Sequence, residues 1–247
     1  MLYIFFMKIT KYYSPNFDFK ERSSRSITAI IIHYTGMQSE RESLKRLTNP
    51  NKKVSCHYLI NRDGKIFRLV PNEFSAWHAG KSCWLKYKNI NKNSIGIELV
   101  NKGHRFGYTN FSKKQITQLI NLCKVLIKKY KIVNRNIIGH SDIAPLRKKD
   151  PGEKFPWSTL YKKKIGIWHN LRERFLKKFR KKKTNKKEKI DFINHLKKIG
   201  YCIPKPSNQS NLKKIIKSFQ SHYRKEIVNG VIDLECLIIA KNLAKKL

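Results

Sequence analysis

Ile27-Thr28-Ala29-Ile30-Ile31-Ile32-His33-Tyr34 decides the fold. The run is apolar and β-branched with no polar alternation, the pattern of a strand buried on both faces. Ser94-Ile95-Gly96-Ile97-Glu98-Leu99-Val100 reads as a second buried strand. Between them, Ser55 to Val70 reads as a hairpin: Tyr58-Leu59-Ile60, a turn at Asp63-Gly64, then Ile66-Phe67-Arg68-Leu69. Arg41–Leu47 suits a short helix. Ser112 can cap a longer one, with Gln115 closing a capping box. Ile116, Leu119, Ile120, Cys123, Leu126 and Ile127 give that helix one apolar face. Asn136-Ile137-Ile138-Gly139 is a short strand. Strands and helices in this order predict an α/β domain with a mixed central sheet flanked by helices.

The chemistry gathers where that last strand ends. Gly139-His140-Ser141-Asp142-Ile143-Ala144-Pro145 is followed by Arg147-Lys148-Lys149-Asp150-Pro151-Gly152. Pro151 pre-sets φ and Gly152 permits a tight bend, so the turn fixes the backbone of Asp150. With His33, these residues offer two imidazoles and a carboxylate, a ligand set of catalytic zinc that leaves one position for water. Glu98 lies among apolar neighbours. Burial raises a carboxyl pKa and makes a general base usable near neutrality. Lys148, two residues before Asp150, can point to the same side in an extended turn and face an oxyanion. Each residue alone is more often structural; the combination is far less likely to arise by chance.

The 247 residues allow one or two domains with a real core, and 40% are hydrophobic. Fifty-five basic against 16 acidic residues give a net charge of +39. Such a field favours polyanions. Lysine, isoleucine and asparagine are abundant throughout, however, and the basic run 176–189 lacks interleaved aromatics, so specific nucleic-acid binding is not expected. The five cysteines, Cys56, Cys83, Cys123, Cys202 and Cys236, show neither close spacing nor even number and read as reduced. Met1–Met7 is apolar but too short to span a bilayer, and it lacks the marks of a signal peptide or lipid anchor. The sequence alone therefore suggests a cytoplasmic protein.

The motifs His33-Tyr34-Thr35, Ser55-Cys56-His57-Tyr58, Ala76-Trp77-His78-Ala79-Gly80, Ser94-Ile95-Gly96-Ile97-Glu98, Gly139-His140-Ser141-Asp142 and Lys148-Lys149-Asp150-Pro151-Gly152 resemble, in order, the amidase-2 family of zinc-dependent N-acetylmuramoyl-L-alanine amidases. That family is related to the peptidoglycan recognition proteins, and the likeness is to its AmiD type. Phe155-Pro156-Trp157 and Gly166-Ile167-Trp168 continue it, so the match covers roughly residues 27–168.

The resemblance implies that His33, His140 and Asp150 hold one Zn2+, that Glu98 is general base and acid, and that Lys148 stabilises the oxyanion. By the same resemblance the substrate would be the amide between the lactyl group of N-acetylmuramic acid and L-alanine, in peptidoglycan or a muropeptide. Tyr34, His57, Trp77, His78 and Asn101 fall in motifs that line the groove, while His104 matches none. Family analogy places the protein in the cell envelope, in tension with the missing leader. Ile215-Ile216-Lys217-Ser218-Phe219-Gln220 and Asn229-Gly230-Val231-Ile232-Asp233 resemble a three-helix peptidoglycan-binding domain.

The expected layout is thus an extension (1–26), a catalytic domain (27–170), a basic linker or helix end (171–189) and a peptidoglycan-binding-like helical domain (190–247), with helices at Ile190–Ile199, Leu212–Arg224 and Leu234–Leu247. A monomer is expected. Deleting residues 185–247 is expected to weaken binding to insoluble wall and spare small muropeptides. A non-catalytic peptidoglycan recognition protein is the alternative; the intact ligand set and Glu98 argue against it.

Overall fold

The computed structural model describes residues 8–204 and 208–247; the apolar Met1–Met7 segment lies outside them. Ala29–Tyr34 is a strand in which Ile30, Ile31 and Ile32 are fully buried. It pairs in parallel with Ser94–Leu99, whose six residues are all buried. Ser94–Leu99 also runs parallel to Tyr58–Ile60, which pairs antiparallel with Ile66–Arg68 as the expected hairpin. Ile137–Gly139 lies beyond Ala29–Tyr34, and Ile9–Lys11 adds a parallel edge beside Ile66–Arg68. The sheet is therefore mixed and six-stranded. The segment read as an N-terminal extension supplies one of its edges. Three residues with one isoleucine carry no periodicity that could have announced it.

Lys113–Tyr130 is a helix that buries Ile116, Leu119, Ile120, Cys123 and Leu126. Ser112 accepts a hydrogen bond from the Gln115 backbone N–H at 3.1 Å, as a cap should. Gln115 does not close the box. Its buried side-chain amide donates instead to the carbonyls of Ile60, at 2.9 Å, and Val100, at 3.3 Å. Those carbonyls end two strands, and a buried amide there anchors the helix to the sheet.

The chain divides into two compact units, one formed by residues up to Gly80 with Asn91–Ile138, the other by Lys81–Ile90 with Gly139–Leu247. The division falls after Ile138, ahead of the expected boundary near residue 171. In the second unit the short helix His140–Ile143 packs on the helix Gln209–Tyr223. Trp157 stacks on His222 with centroids 3.8 Å apart. The segment that carries His140 is thus built together with the C-terminal helices.

Those helices span Lys186–Ile199, Gln209–Tyr223 and Leu234–Lys245, and bury Phe192, Leu196, Phe219, Ile239 and Leu243. The first starts earlier than its apolar residues suggest, because Asn185 and Glu188 form a complete capping box. Gln220, fully buried, accepts from the Gly230 N–H at 2.7 Å and donates to the Val231 carbonyl at 2.9 Å. Gly230 takes φ +78°, so its freedom is used. Asp233 then caps the last helix by accepting from the Cys236 N–H at 2.9 Å. The basic run is not a free linker. Arg180 donates to both oxygens of the buried Glu235, at 2.8 and 2.6 Å, and Thr184 donates to the Ile232 carbonyl at 2.9 Å.

The reading of all five cysteines as reduced is corrected. Cys83 and Cys202 form a disulfide across 119 residues of sequence, with Cα atoms 5.9 Å apart. Spacing in sequence could not reveal a pair so distant. The bond ties the Cys83–Lys88 hairpin to the segment after the Lys186–Ile199 helix, where Trp84 packs edge-on to Tyr201 at 5.2 Å. Cys56, Cys123 and Cys236 are free and buried.

Candidate active site

In the first unit, His33 stands one residue before the end of its strand and is 1% exposed. Its register partner on the parallel neighbour is Glu98. Paired positions project from the same face, so the imidazole and the carboxylate stand side by side on one side of the sheet. Glu98 is itself buried. Cys56 lies near it, and its thiol is pushed well above the usual range, by burial first and by the Glu98 charge second. Such a thiol is not a nucleophile.

His57 is fully buried. Its Nδ1 accepts from the Gly96 N–H at 3.0 Å, while its Nε2 lies 3.1 Å from the Phe74 carbonyl and 2.8 Å from the Arg22 guanidinium. Burial, then the neighbouring Arg22 guanidinium, hold its pKa well below the ordinary value, so it stays neutral. His78 is also buried, with Nδ1 3.1 Å from His33 Nε2. Asn101, 2% exposed, spends its side chain on the loop that follows: it donates to the Thr109 carbonyl at 2.8 Å and accepts from the Gly103 N–H at 3.1 Å.

Tyr34 and Trp77 are half-buried. The Tyr34 hydroxyl meets His104 Nδ1 at 2.9 Å, and its ring lies 5.7 Å from that of Tyr108. Gly103, at φ +65°, lets the Tyr34 ring approach, since a Cβ there would come within 2.5 Å of it. His104, exposed, thus joins an aromatic cluster with Tyr34 and Tyr108. The Trp77 indole N–H donates to Asp18 at 2.8 Å.

In the second unit, His140 opens its short helix directly after Gly139 and is 2% exposed. Its Nδ1 lies 3.0 Å from a carboxylate oxygen of Asp150. The Ser141 N–H donates to the Asp150 carbonyl at 2.8 Å, fixing the spacing of the two side chains. The Asp150–Pro151 bond is cis and Gly152 takes φ +80°, so the turn read from the sequence is present. Lys148 is half-buried. Arg147 donates twice to the Lys81 carbonyl, at 3.0 and 2.8 Å, which holds the turn in place.

Asp142 is the organiser that the sequence reading passed over. It is 1% exposed and accepts from the Gly139 N–H at 2.8 Å, Tyr201 at 2.5 Å, Ser218 at 3.2 Å and His222 at 2.7 Å. Three of those donors come from the C-terminal region; only Ser218 lies in a quoted motif, and that motif does not point to Asp142. Deleting 185–247 would strip this carboxylate of those three donors and remove the helix that packs on the His140–Ile143 segment. We therefore expect the truncated protein to lose turnover on small muropeptides as well as on insoluble wall, and to melt at lower temperature. Full activity on muropeptides after deletion would overturn this.

His33, His140 and Asp150, all buried, are a donor set that could hold a metal ion. Imidazole and carboxylate suit a borderline divalent cation.

A family of N-acetylmuramoyl-L-alanine amidases matches residues 23–153, just over half of the chain. The amidase AmiD of Escherichia coli K12 is 36% identical over 233 residues, covering 89% of this chain and 83% of AmiD. The 1,6-anhydro-N-acetylmuramyl-L-alanine amidase AmpD of the same organism is 43% identical over 106 residues, 43% of this chain and 56% of AmpD. Among solved structures, AmiD in complex with anhydro-N-acetylmuramic acid-L-Ala-D-γ-Glu-L-Lys superposes with a TM-score of 0.80 at 34% identity, covering 90% of each chain. AmpDh3 of Pseudomonas aeruginosa gives 0.79 at 31% identity, over 90% of this chain and 92% of its own.

The chain belongs to the N-acetylmuramoyl-L-alanine amidase family. Its activity is that of an AmiD/AmpD-type amidase, a hydrolase of peptidoglycan turnover. Among the described residues, no helix is long and apolar enough to cross a membrane.

Proposed function

We propose that the protein is a zinc amidase that hydrolyses the bond between the lactyl group of N-acetylmuramic acid and L-alanine. His33, His140 and Asp150 would hold the ion. When bound, zinc acts as a Lewis acid and lowers the pKa of a water from about 15.7 to about 7. Glu98 accepts the proton of the attacking water and returns it to the departing L-alanine nitrogen, one carboxylate serving as base and then acid. Lys148 places its ammonium toward the oxygen that gains charge as the carbonyl becomes tetrahedral. Tyr34 and Trp77, half-buried, present aromatic surface to sugar or peptide. His57 and Asn101 act as scaffold, since burial and internal hydrogen bonds occupy them.

The observations that support this reading are the buried His33 in register with Glu98 and, in the second unit, a His140–Asp150 pair of matching chemistry. The AmiD complex makes anhydro-muropeptides the first substrates to try beside reducing ones. The Cys83–Cys202 disulfide favours an oxidising compartment, and so action in the envelope.

Mass spectrometry of a disaccharide-tetrapeptide incubated with the protein, with and without a chelator, tests the proposal. Release of intact peptide with a free L-alanine amine, stopped by chelator and restored by Zn2+, is expected. Stoichiometric zinc without cleavage would replace the enzyme by a recognition protein.

A further inference from the structure

We propose that His78 is a positioning residue for His33, fixing the tautomer and orientation of a metal ligand, rather than a groove contact. The proposal rests on the metal reading above and goes beyond it. A histidine that gives one nitrogen to a metal carries its proton on the other and donates it to an outer partner. His33 Nε2 faces His78 Nδ1 at 3.1 Å. His33 would then hold the metal through Nδ1, with Nε2–H donating to His78.

That donation has a consequence one bond further out. A neutral imidazole has one donor and one acceptor. With Nδ1 accepting, His78 carries its proton on Nε2, and Ser94 Oγ lies 3.2 Å from that nitrogen. The relay runs His33 to His78 to Ser94, and Ser94 is fully buried. Each step has a single consistent direction of donation. The acceptor for the ligand is a neutral ring rather than a carboxylate, so it orients His33 without adding charge beside the site.

The His78 ring is held from several sides. The backbone N–H groups of His78 and Ala79 both donate to Asn91 Oδ1, at 3.1 and 2.6 Å. The ring lies edge-on to that of His33, with planes at 84° and centroids 5.1 Å apart. On the strand side it presses against Gly96, where a Cβ would come within 2.4 Å of His78 Cγ. A glycine inside a strand marks close approach of another group, and here the group is this imidazole. Gly96 also precedes Glu98 by two, so ring and general base share a face of the sheet. With 6% exposure, His78 is poorly placed to touch a sugar.

The test compares Zn2+ affinity, by competition with a chromogenic chelator, of the wild type, His78→Ala, His78→Asn and Ser94→Ala, with melting curves for each. Loss of an outer-shell partner weakens metal binding by about 10–100-fold, and that loss is expected for His78→Ala. The Asn side chain places an oxygen near the position of Nδ1, so His78→Asn should recover most of the affinity. Ser94→Ala, which leaves the ring in place, should lose less than His78→Ala. Unchanged affinity in a folded His78→Ala, or equal losses in the Ala and Asn variants, would overturn the proposal. A wild type that binds no zinc would overturn the metal reading instead, and this inference with it.

Discussion

His140→Ala is expected to abolish stoichiometric zinc and amidase turnover together, as the proposed ligand set requires. Catalytic zinc is held by three protein ligands and an open position, and the substitution leaves one imidazole and one carboxylate. Because binding requires deprotonated, correctly spaced donors, removing one ligand lowers affinity by orders of magnitude rather than by a fraction. His140 is also hard to replace from nearby. It stands at the start of a helix of four residues, behind a glycine whose N–H is bound by Asp142. The substitution also removes the His140–Asp150 contact at 3.0 Å, which lowers stability as well as metal binding. Metal content per folded chain, measured beside a melting curve, separates the two effects. One zinc per chain in a folded variant would remove His140 from the ligand set.

The parts of the fold written in local pattern were legible. Isoleucines at 30, 31 and 32 could only form a buried strand, and Asp63-Gly64 marked a hairpin turn between strands that pair antiparallel. The Asp-Pro-Gly turn at 150–152 announced itself through residues with restricted or permissive φ. What stayed hidden depends on pairs far apart in the chain. Asp142 meets Tyr201, Ser218 and His222 across 59, 76 and 80 residues, and no spacing rule reaches that far. The disulfide is another such pair. Periodicity marks elements and is silent on which elements share a core, so the division after Ile138 was not legible in the sequence. Gly96 was readable in principle, since an isolated glycine in an apolar strand signals close approach. Only the fold brings His78 against it.

Glu98→Gln separates metal binding from turnover in the opposite sense to His140→Ala. The amide has the shape of the carboxylate, so the side chain keeps its place between Ile97 and Leu99 in a strand buried along its whole length. It does not remove a proposed ligand, so one zinc per chain should remain. What it removes is the capacity to take a proton from water and return it to nitrogen. Positioned acid–base groups contribute about 10²–10⁴-fold, and a residue that works in both directions should fall toward the upper end. The expected result is a kcat reduced by about 10³–10⁴-fold with KM changed little, because substrate binding does not need that charge. The same variant should bind a muropeptide without consuming it, which makes it the form in which to measure affinity directly. A kcat within a few-fold of wild type would take the proton-transfer role away from Glu98. A loss of zinc would show that the carboxylate supports the His33 side of the site through their shared register rather than serving the reaction itself.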